Sequence, residues 1–432
     1  MAEGPPAQGS SPATTQNREF WLMIGYAVPQ GLGAFAGLAF LGVIKVGTRW
    51  FQTTDLGWFG GKWWRVAVTA GAGLLVGILH HLMKLPYKTP GVLEDLHTGR
   101  ADPGLVPGIL VVSAVSLIGG ASLGPEKALG STVGGAASWI SKRRGLSDDQ
   151  IQTNTFSGFA GAYGGLLSSP VIVVMFILEL ARPGGKRFTQ ILVNSVVASS
   201  VSFGIYFAIA GSVFLDLYAV PKYTFESWQM LVGAALGVVA AVLVMGVVLI
   251  IAIMTKAFTQ AKIPRVVKPI IGGVIFGVIG VALPLTMFTG SDQLATVLAQ
   301  APTLGTGLIL AMVVGKTLAF AASSASGFVG GPIFPSLFIG GTAGVAVNLL
   351  IPGIPLGLAF TCMMASVLGA LVSAPFTMVL MTALLTQVGA LQTAPILLAV
   401  ITAFLTMEAS KFLVNLKKRA TPPAAATPEH QA

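Results

Sequence analysis

Two short stretches rich in glycine and proline could do chemistry in this sequence. One is GGASLGPEKAL, residues 119–129, and the other is SGFVGGPIFP, residues 326–335. In each, glycines precede a proline and an apolar segment follows. Glycine lets the backbone turn sharply and approach a ligand, and proline is favoured in the first turn of a helix. Each stretch therefore predicts a helix that begins directly after a glycine-lined turn.

The free N–H groups of such helix starts would attract an anion. A helix N-terminus carries roughly half a positive charge and has N–H donors without partners. Two helix starts that face one point would bind an anion without any charged side chain. Such partial charges bind weakly enough for the anion to leave again, as transport requires.

The composition places these elements in a bilayer. Hydrophobic residues make up 54% of the 432 residues, charged residues only 9%, and the mean hydropathy is +0.82. Soluble domains carry about 25% charged residues. About ten apolar runs are long enough to read as membrane spans. The predicted fold class is therefore an all-α polytopic membrane protein.

The net charge of +10 comes from basic residues that cluster between the apolar runs. This is the positive-inside pattern, so we expect these loops and the C-terminus to be cytoplasmic. The clusters give no reason to expect a nucleic-acid partner. The expected location is the bacterial inner (plasma) membrane, with the lipid bilayer as surroundings.

The two breaks lie about 210 residues apart, one in each half of the chain, which is typical of repeats with a site between them. The expected organisation comprises two membrane repeats, a connecting segment and two disordered tails. The tails are residues 1–17 and 417–432, the repeats are 18–213 and 228–416, and the connecting segment is 214–227.

Metal, cofactor and catalytic chemistry are not expected. Cys362 is the only cysteine, and the four histidines lack partners at metal-ligand spacing. We read His80 and His81 as a solvated helix end. No cluster of His, Asp, Glu or Ser at catalytic spacing occurs in the spans, so the sequence does not indicate an enzyme.

Four stretches together resemble the CLC chloride channel and transporter family. Residues 119–129 are similar to the glycine-rich start of a central helix in that family, and Gly331, Pro332, Ile333, Phe334 and Pro335 look like its second anion-site motif. The stretches SSPVIVVMFILELARP (168–183) and VSAPFTMVLMTAL (372–384) resemble two further family helices. The resemblance implies a CLC-like inverted-repeat architecture with short, broken and tilted helices, a homodimer, and small inorganic anions as the transported partners.

The resemblance also marks where this chain departs from the family. Aligning Gly124 and Pro125 puts Leu123 where the family has its gating glutamate, and Ser122 where it has a basic residue. In the helix at 169–181, the alignment puts Glu179 at a structural place and Leu180 at the place of the proton-relay glutamate. No tyrosine occurs near 410–418, where the family has one.

The segment YKTPGVLED, residues 87–95, falls where the family has a serine motif. Thr89, Pro90 and Gly91 are therefore further anion-site candidates. They join Ser122, Leu123, Gly124 and Pro125 of the first break and the residues named above in the second. The backbone N–H groups of Ile333 and Phe334, rather than their side chains, would contact the anion.

Charged residues near the breaks have several possible roles. Glu126 could cap its own helix, neutralise Lys127, or act as a gate displaced from position 123. Lys127 could pair with Glu126 or another buried acid, or attract anions. We expect Lys316 to have a structural partner, and Glu179 to be structural rather than a gate.

Because both relay carboxylates are replaced, the sequence favours a passive channel for chloride or a similar halide. Two alternatives remain open. One is a proton-coupled chloride or fluoride exchanger that uses Glu126 as its gate. The other is a membrane scaffold or sensor that conducts nothing.

Overall fold

The computed structural model describes residues 12–54, 61–86, 89–211 and 217–420. Helix α1 begins at Pro12 and helix α17 ends at Ala420. Helical structure therefore extends into both segments expected to be disordered tails. The rest of each tail lies outside the described residues.

The described residues are almost entirely helical. The helices are α1 (Pro12–Gly31), α2 (Ala34–Thr53), α3 (Trp64–Leu82), α4 (Val92–Thr98), α5 (Val106–Ile118), α6 (Glu126–Arg143), α7 (Asp148–Leu166), α8 (Pro170–Ala181), α9 (Lys186–Ala210), α10 (Trp228–Gln260), α11 (Val267–Ala282), α12 (Ser291–Ala299), α13 (Thr306–Ser326), α14 (Ile333–Leu350), α15 (Leu356–Val372), α16 (Pro375–Thr386) and α17 (Thr393–Ala420). Short 3-10 helices cover Gly61–Trp63, Pro103–Leu105 and Pro284–Thr286.

Seven helical stretches among the described residues are long and apolar enough to cross a membrane. They are Trp21–Thr53, Gly61–Leu82, Arg187–Ala210, Trp228–Gln260, Thr306–Ser326, Ile333–Leu350 and Thr393–Phe412. Other apolar helices have only 10–17 residues, among them α8 and α16. By contrast α10 has 33 residues and is about 50 Å long, more than the roughly 30 Å of a hydrocarbon core. The predicted mixture of short and over-long helices is therefore confirmed.

Glycines bring the helix backbones into close contact. A Cβ atom added at Gly164 of α7 would collide with the backbone of Ser199 in α9, and one at Gly344 of α14 would collide with the backbone of Ala359 in α15. Small residues at helix contacts are typical of membrane proteins, because apolar lipid gives no hydrophobic drive for helix association. These contacts therefore require a residue without a side chain at Gly164 and at Gly344.

Helices α6 and α14 both begin in the protein interior. Each follows directly on a proline that has right-handed helical dihedral angles, Pro125 or Pro332. Residues 333–346 of α14 are all buried, and so are residues 126–131 of α6. Both predicted helix starts are therefore confirmed, with their N-termini inside the protein.

Candidate functional site

The two glycine-proline loops meet each other directly. The N–H of Gly124 donates to the carbonyl oxygen of Gly331 at 2.8 Å, and the N–H of Gly331 donates to the carbonyl oxygen of Gly124 at 2.7 Å. The pair forms an isolated antiparallel β-bridge. We call it the glycine bridge. It joins the first half of the chain to the second at the point where α6 and α14 begin.

Matching serines hold the two loops from the opposite half. The N–H of Ser122 donates to Oγ of Ser323 at 3.2 Å, and the N–H of Val329 donates to Oγ of Ser116 at 3.1 Å. Both serines lie nine residues before the proline of their own loop, and both donors lie three residues before it. The two halves therefore use the same hydrogen bonds at the same sequence offsets, as expected for a repeat.

The same correspondence extends to the glycine five residues before each proline. Gly120 has φ of 88° and Gly327 has φ of 106°, a left-handed conformation that favours glycine. The carbonyl of Gly120 accepts from the N–H of Phe288 at 3.2 Å, and that of Gly327 accepts from Nε2 of His80 at 2.8 Å. The reading of His80 as a solvated helix end is therefore wrong, since its half-buried ring holds the second loop.

Glu126 occupies the space between the two loops. Its side chain is completely buried, and Oε1 accepts from the N–H of Phe334 at 3.2 Å. The N–H of Ile333 also faces the carboxylate. A Cβ atom added at Gly124 or at Gly331 would collide with this carboxylate, so both positions require glycine for its close approach. Within the described residues, Oε2 has no hydrogen-bond partner.

This position decides between the roles predicted for Glu126. It does not pair with Lys127, because the Nζ of Lys127 lies 2.5 Å from Oδ2 of Asp95. The expectation of a Glu126–Lys127 pair is therefore wrong, and that of a pair with another buried acid is confirmed. The carboxylate faces its own backbone N–H, as the predicted cap of α6 would, and also the N–H groups of Ile333 and Phe334 at the start of α14 in the other half of the chain.

The first turn of α14 contains the other predicted backbone donors. Ile333, Phe334 and Pro335 are all buried there. The N–H groups of Ile333 and Phe334 face the carboxylate of Glu126, which contacts both glycines of the bridge. The two helix starts thus face one point, and a carboxylate side chain lies at that point.

Two cavities approach the glycine bridge. The first vestibule, of about 380 Å³, reaches Leu123 and Gly330, just before the bridging glycines. The second vestibule, of about 280 Å³, reaches Pro125 and Phe334, just after them. The barrier between the two cavities therefore contains the glycine bridge and Glu126.

Most of the remaining anion-site candidates of the first half line the first vestibule. Thr89, Pro90 and Gly91 lie on its wall, and Gly91 is the residue before α4. Leu123 is 2% exposed and faces the same cavity. Ser122 is buried, and within the described residues its Oγ has no hydrogen-bond partner. The structure brings Thr89, Pro90, Gly91 and Leu123 to one cavity, which Ser122 does not line.

Lys316 has a structural environment, as expected, but its partners are backbone oxygens. Its Nζ donates to the carbonyls of Phe288 at 2.8 Å and Thr286 at 3.1 Å. It also lies 5.1 Å from the ring centre of Phe338. The buried ammonium therefore fixes the loop that bonds to Gly120.

Glu179 caps a helix of the other half as well. Its Oε1 accepts from the N–H of Phe376 at 2.9 Å, and its Oε2 accepts from the N–H of Thr377 at 2.8 Å and from the hydroxyl of Thr377. Both oxygens are used at the start of α16. Leu180, at the family's relay place, is 2% exposed. These contacts give Glu179 a capping role.

Four residues that support the site were not singled out from the sequence. Tyr163 of α7 is buried and donates from its hydroxyl to the carbonyl of Glu126 at 3.0 Å. Asp95 pairs with Lys127, and the two serines hold the loops. Only the two serines could have been found from the sequence, because each lies nine residues before the proline of its own loop.

An all-helical membrane protein with two opposed, equivalent loops at its centre belongs to the class of inverted-repeat transport proteins. Residues 73–408 match the model of a family described as voltage gated chloride channel. Because this match covers well over half of the chain, the chain belongs to that family, whose members transport anions across membranes. Membership confirms the resemblance drawn from the four motifs.

Individual relatives and solved structures agree with this assignment. The chain is 26% identical over 348 residues to the "Putative ion-transport protein YfeO" of Salmonella newport (strain SL254), covering 77% of this chain and 82% of that protein. It is 17% identical to a slow cyanobacterial Cl−/H+ antiporter, with a TM-score of 0.73 and coverage of 92% and 97%. It is also 17% identical to a CLC-type fluoride/proton antiporter, with a TM-score of 0.72 and coverage of 93% and 98%. At such identities, the two solved structures establish the shared fold.

Proposed function

We propose that this protein carries small inorganic anions such as chloride or fluoride, and that Glu126 is its gate. One observation carries the proposal: the carboxylate of Glu126 lies between the two loops and accepts from the N–H of Phe334. The backbone N–H groups of Ile333 and Phe334 are the donors that an anion would use. An anion and an ionised carboxylate compete for them, so the side chain must leave before the anion binds.

Protonation is the event that frees this gate. A hydrogen bond to an ionised acceptor is roughly twice as strong as one between neutral groups. A protonated Glu126 therefore loses about half of its attraction to the start of α14, and its charge no longer repels the anion. Anion flux should accordingly rise as the pH falls. This geometry favours the predicted alternative with Glu126 as a displaced gate over an ungated channel.

A passive channel with the same gate is the second candidate. The buried side chain of Leu180 stands at the relay place and cannot carry a proton. Glu179, its neighbour, is engaged with α16. Protons could then open the gate without being exchanged for anions. The two candidates share the pathway and differ in whether protons cross with the anion.

The pathway would run between the two vestibules. Thr255 lines the first vestibule and lies next to the basic cluster Lys256, Lys262 and Arg265. The positive-inside rule therefore supports a first vestibule that faces the cytoplasmic side of a bacterial inner membrane. Two membrane repeats, residues 18–213 and 228–416, would then enclose the pathway from both sides.

We also propose a homodimer with one pathway in each subunit. The family supports this arrangement, and so do exposed apolar side chains on two adjacent short helices. Val171 of α8 is 65% exposed, and Phe376 and Leu380 of α16 are also exposed. Cross-linking in membranes, with a cysteine placed at Val171, would capture this contact between copies.

The proposed function is tested by anion efflux from proteoliposomes with a simultaneous proton readout. Wild type and Glu126→Gln are compared for chloride, fluoride and nitrate over an acidic to neutral pH series. Glu408→Gln, at an exposed residue on α17, is the matched control. We expect acid-activated efflux in wild type and in the control, and efflux independent of pH in Glu126→Gln.

Each result has a defined meaning. Proton uptake driven by an anion gradient identifies an exchanger, and anion flux without proton movement identifies a passive channel. A pH profile that survives Glu126→Gln overturns the gate. Absence of flux for every anion supports the scaffold or sensor alternative and overturns the proposed transport.

A further inference from the structure

Only two carboxylic acids are buried in the described part of the chain, and they lie in one cluster. They are Asp95, 8% exposed, and Glu126, fully buried. The partner of Asp95 is Lys127, the residue that follows Glu126 in the first turn of α6. Ionisable groups at membrane depth are costly and commonly serve proton or ion movement. Two of them in one place therefore call for a function beyond packing.

Asp95 and Lys127 lie between the first vestibule and Glu126. Lys127 lines the first vestibule, and so does Glu94, the exposed neighbour of Asp95 on α4. On the other side, the hydroxyl of Tyr163 donates to the carbonyl of Glu126. The charges of both Asp95 and Glu126 act on that hydroxyl. Tyr163 therefore lies within electrostatic reach of both Asp95 and Glu126.

The charged groups around Asp95 can be accounted for by element. Helix α4 packs against α6, α7 and α8. Helix α6 contributes Lys127 and Glu126, and α7 contributes Tyr163. Helix α8 has one ionisable residue, Glu179, and it is bound to α16. Among the described residues, Asp95 and Lys127 are therefore the buried ionisable pair between the first vestibule and Glu126.

We propose that Asp95 takes up protons from the first vestibule and passes them to Glu126, a role that Leu180 of α8 cannot serve. This inference rests on the proposed gate. Asp95 accepts one proton from the vestibule and releases one proton to the Glu126 carboxylate. Asp95 then pairs again with Lys127 as an anion, while Glu126 is neutral and leaves the start of α14.

The test compares the acid activation of anion efflux in single and double variants. In Asp95→Asn we expect acid activation to fall by about tenfold, a modest share of what a positioned proton-transfer group can contribute. Glu94→Gln removes a neighbouring charge on the same helix and should keep full acid activation. The double variant Asp95→Asn with Glu126→Gln should match Glu126→Gln alone, because a gate without a titratable group needs no proton donor.

A second pair of changes separates proton transfer from folding. Asp95→Asn leaves Lys127 buried without its counter-ion, which is destabilising. Asp95→Asn combined with Lys127→Gln removes both charges and should show the same loss of acid activation. Size-exclusion profiles of all variants report whether they fold.

Two results would overturn the inference while leaving the gate intact. One is full acid activation in Asp95→Asn. The other is slower efflux when Asp95→Asn is added to Glu126→Gln, which would mean that Asp95 supports the fold or the anion path. A wild type without acid activation, or acid activation that persists in Glu126→Gln, instead overturns the gate and the inference with it.

Discussion

Two carboxylates of the first half cap helices of the second half, but their surroundings differ. Glu179 lies at the partly exposed start of α16, where three donors use both of its oxygens. Glu126 lies at the buried start of α14, where Oε1 accepts from Phe334 and Oε2 lacks a hydrogen-bond partner among the described residues. A fully bonded cap stays in place, whereas an incompletely bonded one can leave. The comparison supports Glu179 as a structural cap and Glu126 as the proposed gate.

The largest expected effect is on transport in Glu126→Gln. The amide keeps the size of the side chain but carries no charge, so the anion no longer has a charged competitor. On the alkaline side of its titration, a single acid changes its protonated fraction about tenfold per pH unit. We expect this steep dependence in wild type and a flat profile in the variant, measured as initial chloride efflux. A steep profile in both would place the titrating group elsewhere.

A second large effect is expected when the space of the carboxylate is filled. The methyl group of Gly331→Ala would collide with Glu126. The side chain should be displaced, and efflux near neutral pH should rise. Adding Glu126→Ala removes the carboxylate and leaves only the Cβ atom of residue 126 near the methyl group, so the double variant should be close to Glu126→Ala alone. A further loss in the double variant would show that the methyl group blocks the anion itself.

The comparison predicts the opposite behaviour for Glu179→Gln. Replacing the charged cap weakens three hydrogen bonds at the start of α16 and should cost about 1–3 kcal/mol of stability. The midpoint of thermal unfolding in detergent should fall, while the pH profile of efflux keeps its shape. A changed pH profile would instead give Glu179 a part in proton movement.

The smallest effects test the equivalence of the two loops. Ser116→Ala leaves the N–H of Val329 without its acceptor, and Ser323→Ala does the same to Ser122. Each should lower stability by about 1 kcal/mol. Thermal unfolding should show similar losses for both. Clearly unequal losses would mean that one loop has a replacement acceptor. The two halves would then be less equivalent than their hydrogen bonds indicate.

Local rules made the helix starts predictable from the sequence. Pro125 and Pro332 each follow a glycine and precede an apolar segment, and proline favours the first turn of a helix wherever it occurs. The short helices α8 and α16 were predictable for the same reason. Family membership then followed from several such local patterns in order.

The direction of Glu126 was not predictable in this way. A residue at the start of a helix can face its own helix or a distant partner, and the partner here is 208 positions away. The ion pair of Lys127 with Asp95 spans 32 positions. The partners of Lys316 are backbone oxygens, which no residue pattern reveals. Superimposing the two prolines would, however, have revealed Ser116 and Ser323.

The glycine bridge has a consequence for the polarity of the pathway. Its two glycines exchange equivalent hydrogen bonds, and the serines and glycines that hold the two loops are also equivalent. The residue after Pro125 is Glu126, whereas the residue after Pro332 is Ile333. Glu126 therefore puts a carboxylate after only one of the two prolines. With Glu126 as the proposed gate, we expect anion flux to be faster in one direction across the membrane than in the other.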